Sequence, residues 1–212
     1  MDSSPIELQT LRACAEADVA YEIEQFVIWL LTAPPLHPRP DIDVRLRQAC
    51  FEVSVLHLRN LVDFLANPRP TSKKFATDLV ADHYFDKGWG ARPNPCLLYD
   101  SGSEDANGAV QRNVNRHLAH ITTDRHRKRA AATPFEWDAV DPRLLLTTFV
   151  RFVDDLAVEH PDRARWFDDA RTNAATALQI LTAHPGRGPQ LDAPPIRSAG
   201  PLDPAFVERS MT

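Results

Sequence analysis

The chain has 212 residues, of which 43% are hydrophobic and 25% are charged, and its net charge is −5. This length suits one domain whose buried core needs no disulfide support. The acidic balance argues against a protein whose whole surface is basic for nucleic-acid binding, although a local basic site remains compatible with it. The composition therefore indicates an ordinary globular protein.

Cysteine usage and hydropathy indicate a cytoplasmic protein. The three cysteines (Cys14, Cys50 and Cys96) are far apart and form no CxxC pair, which argues against a metal–thiolate cluster or a disulfide framework and favours a reducing compartment. Residues 1–25 carry scattered acidic side chains and no apolar stretch of the kind that a signal peptide has. The longest apolar run, residues 26–31, is too short to cross a bilayer. We expect no membrane partner.

The first half of the chain shows two long helical patterns. Residues 4–7 form a Ser-Pro-Ile-Glu capping box with proline at the first helical position, which predicts a helix start. Apolar residues then recur at helical spacing as far as Pro34. A second helix is predicted from Asp41 to about Ala66, and apolar residues cover most of its circumference, as expected of a helix near the centre of a bundle.

The second half continues the helical pattern. We predict a short helix over residues 76–84, a long loop over residues 86–107 and a third long helix over residues 109–125. A fourth helix opens at Pro142 and stops before Pro161, and a fifth runs to about Ala183. The side chains expected to face the core of these last two helices are Leu145, Phe149, Phe152, Val153 and Leu156, then Trp166, Ala170, Ala174, Ala177, Leu178 and Leu181.

These elements predict an all-α fold, a bundle of about five main helices. Strand-like alternation is absent from the sequence. After His184, proline and glycine recur without periodicity, which is typical of a solvated segment. We therefore expect a single α-helical domain over residues 1–185 and a flexible tail over residues 186–212.

One predicted helix gathers an unusual set of polar side chains on one face. At about 100° per residue, Arg112, Asn113, Arg116, His117 and His120 fall within roughly 140° of one another, beside an apolar stripe. Two Arg and two His repel one another unless an anion lies between them, and a phosphate accepts bidentate contacts from Arg. A solvated helix face is the alternative interpretation.

A basic run follows this face. Residues 112–129 contain six Lys or Arg and one acidic residue, in a chain that is acidic overall. This local inversion of charge favours an anionic partner, although a basic run alone is usually a solvated surface. The expected RNA-binding side chains are Arg125, Arg127, Lys128 and Arg129.

The sequence Arg112-Asn113-Val114-Asn115-Arg116-His117 resembles the R-x4-6-H motif of the HEPN superfamily. These are all-helical domains, and many are metal-independent ribonucleases of toxin–antitoxin and defence systems. The resemblance implies a homodimer in which two motifs meet, RNA as substrate and no cofactor. It also implies that His117 transfers protons and that Arg112, with the polar Asn113 beside it, stabilises the developing phosphorane. Arg116 and His120 would support them.

Two alternatives stay open. Residues 115–122 also resemble small bacterial helical proteins with an AHLT stretch, and in that case His120 and Arg125 matter more than Arg112, with His120 as a structural residue. The other functional class is a non-catalytic helical interaction protein, such as an antitoxin, an immunity protein or a regulatory partner of a protein encoded nearby.

The second helix offers possible partners for these histidines. Gln48, Glu52, Arg59 and Asp63 form a narrow polar stripe, and the i,i+4 spacing of Arg59 and Asp63 predicts an ion pair. Either this stripe is a structural salt bridge, or Asp63 or Glu52 orients a histidine. We expect no metal site, since HExxH and ExxH spacings are absent, and no Gly-rich phosphate loop. Among the tryptophans, Trp89 is the candidate for stacking on a base.

Overall fold

The computed structural model of the chain describes residues 6–32, 44–70, 78–94 and 142–183. In these ranges every regular element is helical and no strand is present, which confirms the all-α prediction for this part of the chain. None of the helices found there combines the length and apolarity needed to cross a bilayer. The predicted helix over residues 109–125 and the predicted tail over residues 186–212 lie outside the described ranges.

Six α-helices are described, together with one π-helical and two 3-10 segments, and they correspond only roughly to the five predicted helices. The long N-terminal helix contains a π-helical stretch, and a 3-10 turn separates the last two α-helices. In chain order the elements are α1 (Leu8–Ala13), the π-helix Cys14–Val19, α2 (Ala20–Thr32), α3 (Val44–Ala66), the 3-10 helix Ala81–Tyr84, α4 (Pro142–Glu159), α5 (Pro161–Ala164), the 3-10 turn Arg165–Phe167 and α6 (Asp168–Ala183).

Prolines mark the helix ends as predicted. α2 ends at Thr32, ahead of Pro34, and α3 ends at Ala66, ahead of Pro68. Proline lacks an N–H and restricts the residue before it, so a helix cannot continue through it without losing a hydrogen bond. α4 likewise begins at Pro142 and ends before Pro161.

The start of the first helix differs from the prediction. α1 begins at Leu8, and Glu7 before it has an extended backbone with φ −62° and ψ 141°. A capping box from Ser4 would require Glu7 to lie in the first helical turn, which this backbone conformation excludes. Glu7 is instead the N-cap residue and makes no side-chain cap hydrogen bond.

The short helix predicted over residues 76–84 is also wrong for its described part. Only the 3-10 helix Ala81–Tyr84 forms, and Val80 is extended with φ −133° and ψ 158°. The Val80 N–H donates to His83 Nδ1 at 3.1 Å. A nearby side chain that accepts a backbone N–H in this way competes with regular helix formation.

α2, α4 and α6 pack together around a core that follows the predicted apolar stripes. Ala170, Ala174 and Ala177 are buried on α6 and let the helix axes approach closely, because an Ala side chain is short. Leu181 is also buried, whereas Trp166 and Leu178 are partly buried against the core. The predicted stripe of α4 is at most 2% exposed and consists of Leu145, Phe149, Phe152, Val153 and Leu156.

An aromatic cluster joins residues 78–94 to this helical frame. The rings of Tyr84 and Phe152 lie 4.9 Å and 5.1 Å from that of Phe167, both edge to face. The ring centroids of Phe64 of α3 and of Trp89 each lie 5.5 Å from the ring centroid of Phe152. Such pairs add about 0.5–1.5 kcal/mol each beyond the apolar area that they bury. The cluster therefore fixes where the non-helical segment lies against the helices.

Candidate functional site

Most of the predicted site lies outside the described residues. This holds for the predicted catalytic, supporting and RNA-binding side chains of Arg112, Asn113, Arg116, His117, His120, Arg125, Arg127, Lys128 and Arg129. Arg59 and Asp63 of α3 are the members of the predicted set that the structure describes. The structure therefore describes the pairing on α3, while the cationic face stays a prediction.

Arg59 and Asp63 pair as their spacing predicts. Arg59 Nε lies 3.7 Å from Asp63 Oδ2, and the two side chains are 30% and 39% exposed. Asn67 Nδ2 donates to Asp63 Oδ1 at 3.4 Å. Burial raises the pKa of the Asp63 carboxyl, and the opposing effect of Arg59 is smaller. A contact of this length at a partly exposed position contributes little to stability. The side chains of Gln48 and Glu52 lie outside the described part.

A second polar group links α2 to α3. His57 is only 6% exposed, and its Nδ1 lies 2.7 Å from Glu22 Oε2. Asn60 Nδ2 donates to Glu22 Oε1 at 3.0 Å, and the Tyr21 ring packs edge to face against His57 with centroids 5.8 Å apart. A carboxylate on Nδ1 fixes both the tautomer and the orientation of an imidazole. The arrangement joins α2 to α3 through polar contacts.

Sequence analysis missed this group because its members are far apart in the chain. Glu22 and His57 are separated by 35 positions, and no local spacing connects them. The available signal was a histidine inside a helix whose neighbours Leu58, Leu61 and Val62 are apolar. A buried polar side chain in such a position requires a hydrogen-bond partner, although the sequence does not say which one.

Asp82 holds the loop that follows the 3-10 helix. Its side chain is nearly buried. Oδ1 accepts a hydrogen bond from the backbone N–H of Trp89 at 2.9 Å, and Oδ2 accepts one from Arg92 NH1 at 2.5 Å. Gly88 has φ +83°, a left-handed conformation that lets the chain turn back towards Asp82. Because each carboxylate oxygen already has a donor, Asp82 shapes the loop and is not free to act on a ligand.

The predicted role of Trp89 in base stacking is wrong. Its side chain is 3% exposed and stacks on Phe85 with an interplanar angle of 8°. The indole Nε1 donates to Asp155 Oδ2 of α4 at 2.9 Å. A tryptophan that is buried on its apolar body and satisfied at its N–H is an anchor for the loop.

A third polar cluster lies where residues 78–94 meet the end of α4, and we call it the Asp86–Glu159–His160 cluster. His160 Nε2 lies 3.1 Å from Asp86 Oδ1 and 3.2 Å from Glu159 Oε1. The Asp86 N–H donates to Glu159 Oε1 at 2.9 Å. Nearby, Arg163 NH1 donates to the Tyr84 carbonyl at 2.7 Å and lies 3.4 Å from Asp86 Oδ1.

This cluster is the arrangement among the described residues that suits a metal ion. One imidazole nitrogen and two carboxylate oxygens lie within 4.8 Å of one another. Imidazole and carboxylate are ligands for divalent transition-metal ions. Sequence analysis missed the cluster for two reasons. Glu159 and His160 are adjacent, which is not one of the helical ligand spacings, and Asp86 comes from a distant segment.

Models of protein families, curated protein sequences and solved structures were all compared with the chain, and none of them matched.

Proposed function

We propose that this protein is a HEPN-like, metal-independent endoribonuclease of the toxin or defence type. The observation that carries the proposal is the Arg112-x4-His117 motif, with a polar residue after the arginine, inside a basic segment of an acidic chain. The all-helical architecture of the described residues accords with the fold of that superfamily.

The proposed reaction is an internal transesterification. The ribose 2′-OH attacks the adjacent phosphorus, the bond from phosphorus to the 5′-oxygen breaks, and the products end in a 2′,3′-cyclic phosphate and a 5′-OH. His117 moves the proton, and Arg112 neutralises the charge that develops on the phosphorane oxygens. Asn113, Arg116 and His120 share the same predicted helix face and would position the scissile phosphate. Two motifs meet in a homodimer in this proposal.

The pair on α3 fits a supporting role. The Asp63 carboxyl is partly buried, and its Oδ2 lies 3.7 Å from Arg59 Nε, so this oxygen is able to accept a hydrogen bond from a histidine ring. A carboxylate that accepts an imidazole N–H orients the ring and favours its protonated form. We assign this positioning role to Asp63, with Arg59 as its nearby counter-charge.

The decisive experiment measures cleavage of a single-stranded RNA by the purified dimer, freed of any bound inhibitor. We expect His117→Ala and Arg112→Ala each to reduce the rate by about 10²- to 10⁴-fold, the usual contribution of a general acid–base residue. His126→Ala is the matched control, because it removes a histidine from the basic run but not from the motif, and it should retain activity. A chelator should leave the rate unchanged.

The basic run is tested separately from the chemistry. Arg127→Ala and Lys128→Ala should each weaken RNA binding and reduce the salt slope of log K by about 1, without changing the rate at saturating RNA. Circular dichroism checks that each variant is folded. Wild-type protein that cleaves no RNA, or cleavage that survives both motif substitutions, would favour the non-catalytic interaction protein instead.

A further inference from the structure

The His160 ring in the Asp86–Glu159–His160 cluster has an unsatisfied nitrogen. Nε2 is inaccessible to solvent and makes no hydrogen bond to any described residue. Two carboxylate oxygens nevertheless lie 3.1 Å and 3.2 Å from it. Neither contact has the geometry of a hydrogen bond, and a buried nitrogen without a partner is costly. The position therefore suits a ligand that all three atoms contact together.

The distances from His160 Nε2 to the two carboxylate oxygens fit a shared metal ion. Ligand atoms about 2.1 Å from a divalent ion lie about 3.0–3.4 Å apart for angles between octahedral and tetrahedral. The two distances from His160 Nε2 fall in this range. We infer that the Asp86–Glu159–His160 cluster binds a divalent first-row transition-metal ion such as Zn²⁺, which takes both imidazole and carboxylate ligands. This site is separate from the proposed ribonuclease motif.

The surroundings of the cluster favour a cation. Glu159 is the last residue of α4, an 18-residue helix whose C-terminal end carries partial negative charge. The Asp86 and Glu159 side chains are 64% and 42% exposed, so water can complete the coordination and the ion can enter. The two carboxylates balance the charge of a divalent ion.

Arg163 is the competing cation, and its geometry is compatible with the proposal. Its NH1 makes its shorter hydrogen bond with the Tyr84 carbonyl at 2.7 Å, whereas Asp86 Oδ1 lies 3.4 Å away. A metal ion on Asp86 would replace the longer contact and leave the guanidinium anchored on the carbonyl. The ion would then tie residues 78–94 to the turn between α4 and α5, which is a structural role.

The test is a calorimetric titration of the full chain, stripped of metal, with Zn²⁺. We expect one binding event that Asp86→Asn and His160→Ala each weaken by at least about tenfold, since even partners outside the ligand set change affinity by about 10- to 100-fold. Asp162→Asn is the matched control, because its carboxylate is 95% exposed and lies outside the cluster. Zn²⁺ should raise the melting temperature of the wild type and the control but not of the two ligand variants.

His117 and His120 of the predicted cationic face are a second place where Zn²⁺ could bind. A variant carrying both His117→Ala and His120→Ala should keep the binding event, whereas its loss would assign the ion to that face and overturn the proposal. Absence of binding by the wild type would also overturn it. Equal stoichiometry and affinity in the wild type and in Asp86→Asn would overturn it as well. Asp86 is exposed, so we expect the Asp86→Asn variant to fold.

Discussion

The helical frame (α2, α3, α4 and α6) and the segment of residues 78–94 are held in place by different means. The helices satisfy their own backbone groups and meet through apolar side chains at regular spacing. In the segment, regular structure is limited to one 3-10 helix, and side chains from other parts of the chain satisfy much of the backbone.

The side chains that donate hydrogen bonds to the backbone of the segment lie both before it and after it in the chain. Arg69 donates through Nε and NH2 to the Asp82 carbonyl at 3.1 Å and 2.7 Å, and NH2 also contacts the Phe85 carbonyl. From the C-terminal half, Arg163 donates to the Tyr84 carbonyl. Buried backbone groups need partners of this kind when no helix supplies them.

The helical frame depends on the periodicity of its apolar residues, and the segment depends on individual contacts. A helix tolerates many substitutions as long as its apolar stripe persists, because hydrophobic stabilisation is roughly proportional to the apolar area that is buried. The segment depends on a few polar residues, each of which has a definite partner. The two regions should therefore respond differently to substitution.

The largest effect is expected in the aromatic cluster that both regions share. Phe152 is fully buried and its ring lies 5.5 Å or less from those of Phe64, Trp89 and Phe167. We expect Phe152→Ala to lower the free energy of unfolding by about 3–5 kcal/mol, because a cavity remains in a packed core. Urea denaturation measures this loss. Val158→Ala on the same helix, 88% exposed, should change it by less than about 0.5 kcal/mol. Equal losses in the two variants would contradict the packing described.

The next effect separates the segment from the frame. We expect Asp82→Ala to lower the free energy of unfolding by about 2–3 kcal/mol, because the buried backbone N–H of Trp89 loses its acceptor and the Arg92 guanidinium loses its partner. Asp82→Asn keeps an oxygen for the Trp89 N–H and should cost less. The measurement is again urea denaturation, with Asp162→Ala, 95% exposed, as the control for loss of a carboxylate. An unchanged stability in Asp82→Ala would mean that aromatic packing alone holds the segment.

This contrast explains how much the sequence could predict. The ends of α2, α3 and α4 and the buried stripe of α4 follow from proline positions and 3.6-residue spacing, both of which are local. The missing helix at Val80 depends on His83 and on Arg69, which lies outside the segment. Contacts between residues distant in the chain leave no periodic signal.

The candidate site was less predictable than the fold for the same reason. The Arg59–Asp63 pair is an i,i+4 contact and could be predicted from spacing. His57 with Glu22, and His160 with Asp86, join separate elements, and only the fold brings them together. The Arg112–His117 motif is a local pattern, so its catalytic role stays a prediction until cleavage is measured.

The smallest expected effect is a pH dependence within the segment. Burial, and after it the nearby Arg69 guanidinium, lowers the pKa of His83 below 6.5. The Val80 N–H that Nδ1 accepts at 3.1 Å also requires an unprotonated nitrogen. The unfolded chain therefore binds this proton more readily than the folded one. The stability that the neutral ring contributes is fully present above pH 6.5 and is lost as the pH falls through the lowered pKa of the folded protein.

His83→Asn removes the titration and places an amide oxygen where Nδ1 accepts the Val80 N–H. We expect the stability of the wild type relative to this variant to decrease between about pH 7.5 and about pH 5.5, the range in which histidines titrate. Urea denaturation of both proteins at the two pH values gives this difference, and the remaining histidines cancel because both proteins carry them. A difference that does not change with pH would mean that His83 has no lowered pKa in the folded protein. One that increases towards low pH would mean that the ring is protonated on folding and that the Asp82 charge outweighs burial.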